Sequence, residues 1–261
     1  MLTRNLDKAR EAWKSKDVEK SAQAHLNGSA TEKHKSGGDS IKSAVYGGLD
    51  GIITTFAVVA GVAGAELSAG VALILGFANL FADGLSMAIG DYLSTRSEKE
   101  YQAAERQREE WEVDNCSEGE KLELIELYES KGLSHDDAVQ VVNIFSKNKK
   151  VWVDVMMVEE LGILEDNEHP LKSALVTFTS FVAFGFLPLI SFVLAELIPG
   201  LKAHTFPLAV GITGFTLFLL GSLKTRFTDI AWWKSGFEML LVGGIAATAA
   251  YLIGIFLKGF A

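Results

Sequence analysis

Five apolar runs decide what this chain can fold into. They cover residues 44–65, 67–93, 171–198, 205–223 and 236–257, each close to the ~20 apolar residues that cross a bilayer core. Inside hydrocarbon every backbone N–H and C=O must be satisfied within its own segment, so the runs are predicted to be helices and the chain an all-α integral membrane protein. The first two runs nearly abut, which predicts a tight helical hairpin. Five spans place the two termini on opposite sides of the membrane. Lysine and arginine are found in the N-terminal segment, the 94–170 connection and the loop with Lys224, Arg226 and Lys234; the opposite loops carry only Lys202 and the tail Lys258. The positive-inside rule therefore predicts a cytoplasmic N-terminus and a cytoplasmic 94–170 region.

The second run does not stop where the membrane should. Asn79, Asp83, Met87 and Asp91 recur every fourth residue, a slowly drifting polar stripe on an otherwise apolar helix. With no Gly or Pro from Asp91 to Glu118, the helix is predicted to continue into a charged stretch. The net charge of −9 is concentrated there, since residues 98–129 hold twelve Asp/Glu against four Lys/Arg. That balance disfavours nucleic acid and anionic lipid surfaces as partners and favours cations. In the first run Asp50 is a further intramembrane acid, and such acids mark ion or proton pathways by default. Its small-residue pairs, Gly47/Gly51, Ala57/Gly61 and Ala60/Gly64, predict close helix–helix contact.

Glu109 and Glu112 form one Glu-x-x-Glu pair, Glu120 and Glu123 a second. Within each pair the carboxylates share a helix face. Ser117 with Glu120 reads as a capping box opening a second polar helix that ends at Gly132. Ser134 is predicted to cap a third, continuing through Val141, Phe145, Trp152 and Met156 to the neighbourhood of Pro170. On it Met156 and Met157 precede Glu160 by about one turn. Oxygen ligands with a sulfur option suit Fe²⁺, Mn²⁺ or Zn²⁺ better than alkaline earths. The alternative for any one Glu-x-x-Glu pair is a solvated acidic face.

The organisation expected is a polar N-terminal segment over 1–40, membrane helices over 41–94, a three-helix metal-binding domain over 95–168 and three further membrane helices over 169–261. Within the N-terminal segment a short amphipathic helix with Leu6, Ala9 and Trp13 is expected, and His25 and His34 are read as solvated. Pro188 is expected to bend the third span. The single cysteine, Cys116, allows no intrachain disulfide and fits a reducing cytosolic face.

The segments YGGLDGIITTFAVVAGVAGA, FADGLSMAIGDYLSTRSEKE and VMMVEELG together resemble the vacuolar iron transporter family, over about 41–261. The resemblance implies a homodimer with its translocation path between subunits, a cytoplasmic metal-binding domain, and export of Fe²⁺, sometimes Mn²⁺, in exchange for protons. It implies Asp50 and Met87 as path residues. It implies Glu109, Glu112, Glu120, Glu123, Met156, Met157 and Glu160 as cytoplasmic ligands. The chain carries Asn79 where an acid is expected in some plant-like relatives, with Asp83 one turn later.

The reading that follows is a proton-coupled transporter of Fe²⁺, with Mn²⁺ and Zn²⁺ as further metals, and not an enzyme. Asp50, Met87, Asp83 and Asp91 form its path. It carries no prosthetic group, and its partners are a second copy of itself, membrane lipid, divalent metal ions and protons. It would sit in a vacuolar membrane in a eukaryote and in the plasma or inner membrane in a prokaryote. No G-x-x-x-x-G-K-[ST] loop is present to bind a nucleotide, so a gradient supplies the energy. A membrane-anchored di-iron oxidase is the alternative enzyme, but ferritin-like sites use Glu-x-x-His and this chain has none. A non-transporting metal sensor is the other alternative, for which the intramembrane acids have no use.

Overall fold

Glycines set how closely the membrane helices approach. In the computed structural model, which describes residues 3–4, 11, 15–20, 29–32, 38–164, 169–225 and 231–260, the first helix is α1 (Gly38–Gly64), followed by α2 (Ala69–Asn115). Three shorter helices come next: α3 (Ser117–Ser130), α4 (His135–Phe145) and α5 (Lys149–Glu159). The chain then forms α6 (Pro170–Gly185), α7 (Leu187–Leu197), α8 (Thr205–Lys224) and α9 (Trp232–Leu257). Before α1 the described residues include a short parallel strand pair, β1 (Thr3–Arg4) and β2 (Ser29–Glu32). The expected amphipathic helix around Leu6, Ala9 and Trp13 lies outside the described residues, as do His25 and His34.

Among the described residues four helices are long and apolar enough to cross a membrane, and α6 with α7 makes a fifth if that pair, bent by 46°, is one span. The bend falls where the sequence predicts it. Pro188 sits in the first turn of α7, where its missing N–H interrupts the helical ladder.

The chain divides into two units, residues 1–80 with 179–261, and residues 81–178. In the first, Phe56, Val59 and Val62 of α1, Ala72 of α2, Leu189 and Phe192 of α7 and Ala209 of α8 form the buried core. A Cβ on Gly51 would strike the Phe181 backbone, and one on Gly64 would strike the Tyr251 backbone. The small-residue pairs of α1 thus serve contacts with α6 and α9, where lipid offers no hydrophobic drive for association. The α1–α2 hairpin closes with paired bonds from Leu67 N–H to Val62 O (3.1 Å) and Glu66 N–H to Ala63 O (3.1 Å), the Schellman pattern. Glu66 takes the left-handed position (φ 55°) that glycine usually fills, and its carboxylate pairs with Lys258.

In the second unit three expectations are corrected, the first being that the last polar helix ends at Glu159 and not near Pro170, because Gly162 (φ 66°) turns the chain. The predicted third polar helix is two helices, because Asn148 interrupts it in extended geometry and accepts from Val151 N–H (3.3 Å) to cap α5. The capping box at Ser117 is not formed: Cys116 occupies the N-cap without a side-chain bond, and the Glu120 side chain is buried instead. The continuous α2 and the ends of α3 agree with expectation. Gly132 adopts φ 103° and Leu133 N–H reaches Tyr128 O (3.1 Å), closing α3.

Candidate metal centre

The polar end of α2, α3 and α5 are fastened by ion pairs around an apolar cluster. Val113, Leu124, Val142, Trp152, Val153, Met156 and Met157 pack together. Arg106 on α2 pairs with Asp154 on α5, Asp114 with Lys149, and Lys131 at the end of α3 with Glu159. The first two pairings run in opposite sequence directions, so α5 travels back along α2. Gly162 (φ 66°) turns the chain after α5, with Ile163 N–H bonding Met157 O (2.8 Å). Glu160 is left at the C-cap.

This arrangement brings Glu109 of α2, Glu120 of α3 and Glu160 together, with one carboxylate oxygen from each lying within 4.8 Å of the others. Glu109 and Glu120 are 1% and 5% exposed. Both Glu109 oxygens and Glu120 Oε2 lack a hydrogen-bond partner. Buried acceptors without donors are costly, and here two helices, α2 and α3, contribute to the same deficit. Burial, then Glu160 and the neighbouring Glu112 and Glu123, push the Glu109 carboxyl up to about 7 against the opposing pull of Arg108. Burial, with Glu109 and Glu123 next, raises Glu120 to about 7. Glu160, the exposed member of the trio, is raised by partial desolvation and by Glu123. Carboxylates that repel one another, two of them with oxygens that lack donors, are suited to a divalent cation that all three could share.

Glu112 and Glu123 act on this trio through their charge and are not among the three converging carboxylates. Met156 and Met157 are 0% and 5% exposed and belong to the apolar cluster beneath the site. Sequence reasoning missed Arg108. Its guanidinium stands 3.0 Å from Glu105, 3.0 Å from Glu109 and 3.2 Å from Glu112. The ERQREEWE run held the signal, since Glu105 and Glu112 lie three residues before and four after Arg108.

The acids of the apolar runs differ in their surroundings. Asp91 Oδ2 accepts from Ser173 Oγ (2.9 Å) and Thr177 Oγ1 (2.6 Å) of α6, and both hydroxyl residues are buried. Asp83 is exposed and Met87 half-buried. Asp50, in the other unit, is half-buried. One turn on, Thr54 Oγ1 donates to Asp50 O (2.8 Å) and accepts from Asn79 Nδ2 (3.5 Å). Asn79 therefore joins α2 to α1 as a neutral donor.

The VIT family model matches residues 41–255. A protein of Toxoplasma gondii named vacuolar iron transporter is 44% identical, the match covering 98% of this chain and 89% of the relative. The protein of that name from Plasmodium berghei is 38% identical, over 96% of this chain and 95% of its own length. Vacuolar iron transporter 1 of Arabidopsis thaliana is 35% identical, over 85% and 88%. Matched along most of its length by the family model and by these relatives, the chain belongs to the VIT family.

Proposed function

We propose that this protein exports Fe²⁺, and also Mn²⁺ and Zn²⁺, from the cytosol into a vacuole or out of the cell, in exchange for protons. The curated relatives are named transporters, so the chain is a transporter and the oxidase alternative is set aside. The observation that carries the reading is the convergence of Glu109, Glu120 and Glu160, the first two with buried oxygens that lack a hydrogen-bond partner. These groups collect metal on the cytosolic side, with Glu112, Glu123, Met156 and Met157 as the remaining ligands of the site. Metal then passes to Met87 and Asp50, with Asp83 and Asp91 along the same path. Protonation of Asp50 or Asp83 from the acidic side expels it, because proton and metal compete for the same lone pairs.

The working unit is a homodimer. Its support is the likeness to the VIT family, which implies pairing; apolar side chains exposed on α2, such as Ile74, Phe81, Leu85 and Ile89, face lipid as readily as a second copy. The test is Fe²⁺ uptake into proteoliposomes holding the full chain, with and without an inside-acidic pH gradient. Uptake that depends on the gradient is expected. Metal binding without uptake would instead identify a sensor.

A further inference from the structure

Two arginines two residues apart, and so on different faces of α2, have separate partners. Arg106 pairs with Asp154 and Glu110 and ties α2 to α5. Arg108 faces the carboxylates. Its Nε donates to Glu105 Oε2 (3.0 Å) and its Nη1 to Glu112 Oε2 (3.2 Å). Nη2 stands 3.0 Å from Glu109 Oε1, yet neither Glu109 oxygen receives a hydrogen bond. The guanidinium is thus hydrogen-bonded to Glu105 and Glu112 while it supplies only charge to the buried carboxylate of the converging trio.

We infer that Arg108 is a tethered counter-ion of the carboxylate site, a cation of the chain itself that an incoming divalent metal must displace. This rests on the reading of the trio as a metal-collecting site. A metal held by Glu109, Glu120 and Glu160 would lie close to the guanidinium, and like charges at that range repel. Arg108 then gives up Glu112 and Glu109 and keeps Glu105, three residues before it on α2 and not one of the converging carboxylates. Its charge steadies the crowded acids when metal is scarce and raises the metal concentration needed to fill the site. Arg108 is a positioning and affinity-setting residue, not a ligand, since a guanidinium has no lone pair to offer.

The test is Mn²⁺ titration of the full-length protein in detergent at one fixed pH, reading free Mn²⁺ by its electron paramagnetic resonance signal. Arg108→Gln and Arg108→Met both remove the charge, and the methionine keeps most of the stem. Both are expected to bind Mn²⁺ about three- to tenfold more tightly, the range of a few partly exposed ion pairs. Arg108→Lys, which keeps the charge and loses the fork, is expected to stay within about twofold of wild type. Unchanged or weaker binding in the two neutral variants, with the wild-type protein binding Mn²⁺, would overturn the inference alone. Wild-type protein that bound no Mn²⁺, or bound it as well after Glu109→Gln with Glu120→Gln, would overturn the collecting-site reading and the inference with it.

Discussion

Asp91 and Glu109 stand on one helix, about 27 Å apart by the rise of an α-helix, and their carboxylates have opposite surroundings. Asp91 receives two hydroxyl hydrogen bonds on a single oxygen from α6. Glu109 is more deeply buried, receives none, and faces two other acids. A satisfied carboxylate has little to gain from a cation, whereas a crowded and unsatisfied one gains a great deal. The difference suggests a division of labour along α2, with strong, proton-sensitive collection at the polar end and weaker single-acid contacts in the apolar half.

The comparison breaks first at the crowded end. Glu109→Gln with Glu120→Gln is expected to weaken Mn²⁺ binding about a hundredfold or more, since two ligands are lost where outer-shell changes alone cost about 10- to 100-fold. Isothermal titration measures it. Binding within a few-fold of wild type would return these residues to an ordinary buried acidic pair.

The pH dependence sharpens it. Glu109 and Glu120 hold protons up to about 7 in the folded, metal-free protein, so metal must displace protons below that pH and meets free carboxylates above it. Mn²⁺ affinity is expected to be flat above about pH 8 and to fall about tenfold per pH unit for each proton displaced below about 7. The stability of the metal-free polar unit moves the other way. The folded state binds more protons than the unfolded one between the ordinary glutamate value and about 7, so stability falls as pH rises through that window. A melting temperature of the metal-free protein that rose through the window would contradict the placement of these two groups.

Asp91 is expected to matter for stability more than for binding. Asp91→Ala strands the buried hydroxyls of Ser173 and Thr177 and should cost about 1–3 kcal/mol, read as a lowered melting temperature. Asp91→Asn keeps an acceptor and should lose less. The smallest effect expected on folding is that of Met156→Leu, a near volume-conserving change worth under about 1.5 kcal/mol in the apolar cluster. If the Met156 sulfur ligates metal, this variant weakens Mn²⁺ binding while folding normally; unchanged affinity would assign Met156 to packing alone.

Much of this was legible in the chain. Apolar run length located the long membrane helices, Pro188 the bend, and the absence of Gly and Pro the unbroken α2. The break at Asn148 was hidden because the apolar residues Val142, Trp152 and Met156 serve one cluster from both sides of it, so hydrophobic periodicity ran across the interruption. The capping box failed because Glu120 has a competing place among the acids, a tertiary effect that local spacing does not contain. Arg108, Ser173 and Thr177 escaped notice for a related reason. Each has an ordinary sequence context, and its importance comes from which carboxylate the fold brings to it.

The most direct test measures Fe²⁺ flux against external Fe²⁺ in proteoliposomes with an acidic interior, comparing wild type, Asp50→Asn, and Glu109→Gln with Glu120→Gln. The double glutamate variant is expected to need far more Fe²⁺ to reach half-maximal flux yet to approach wild-type flux at saturation. Asp50→Asn is expected to bind metal normally and to carry none. Full flux through Asp50→Asn, or a double variant with wild-type concentration dependence, would contradict the separation of collection from translocation.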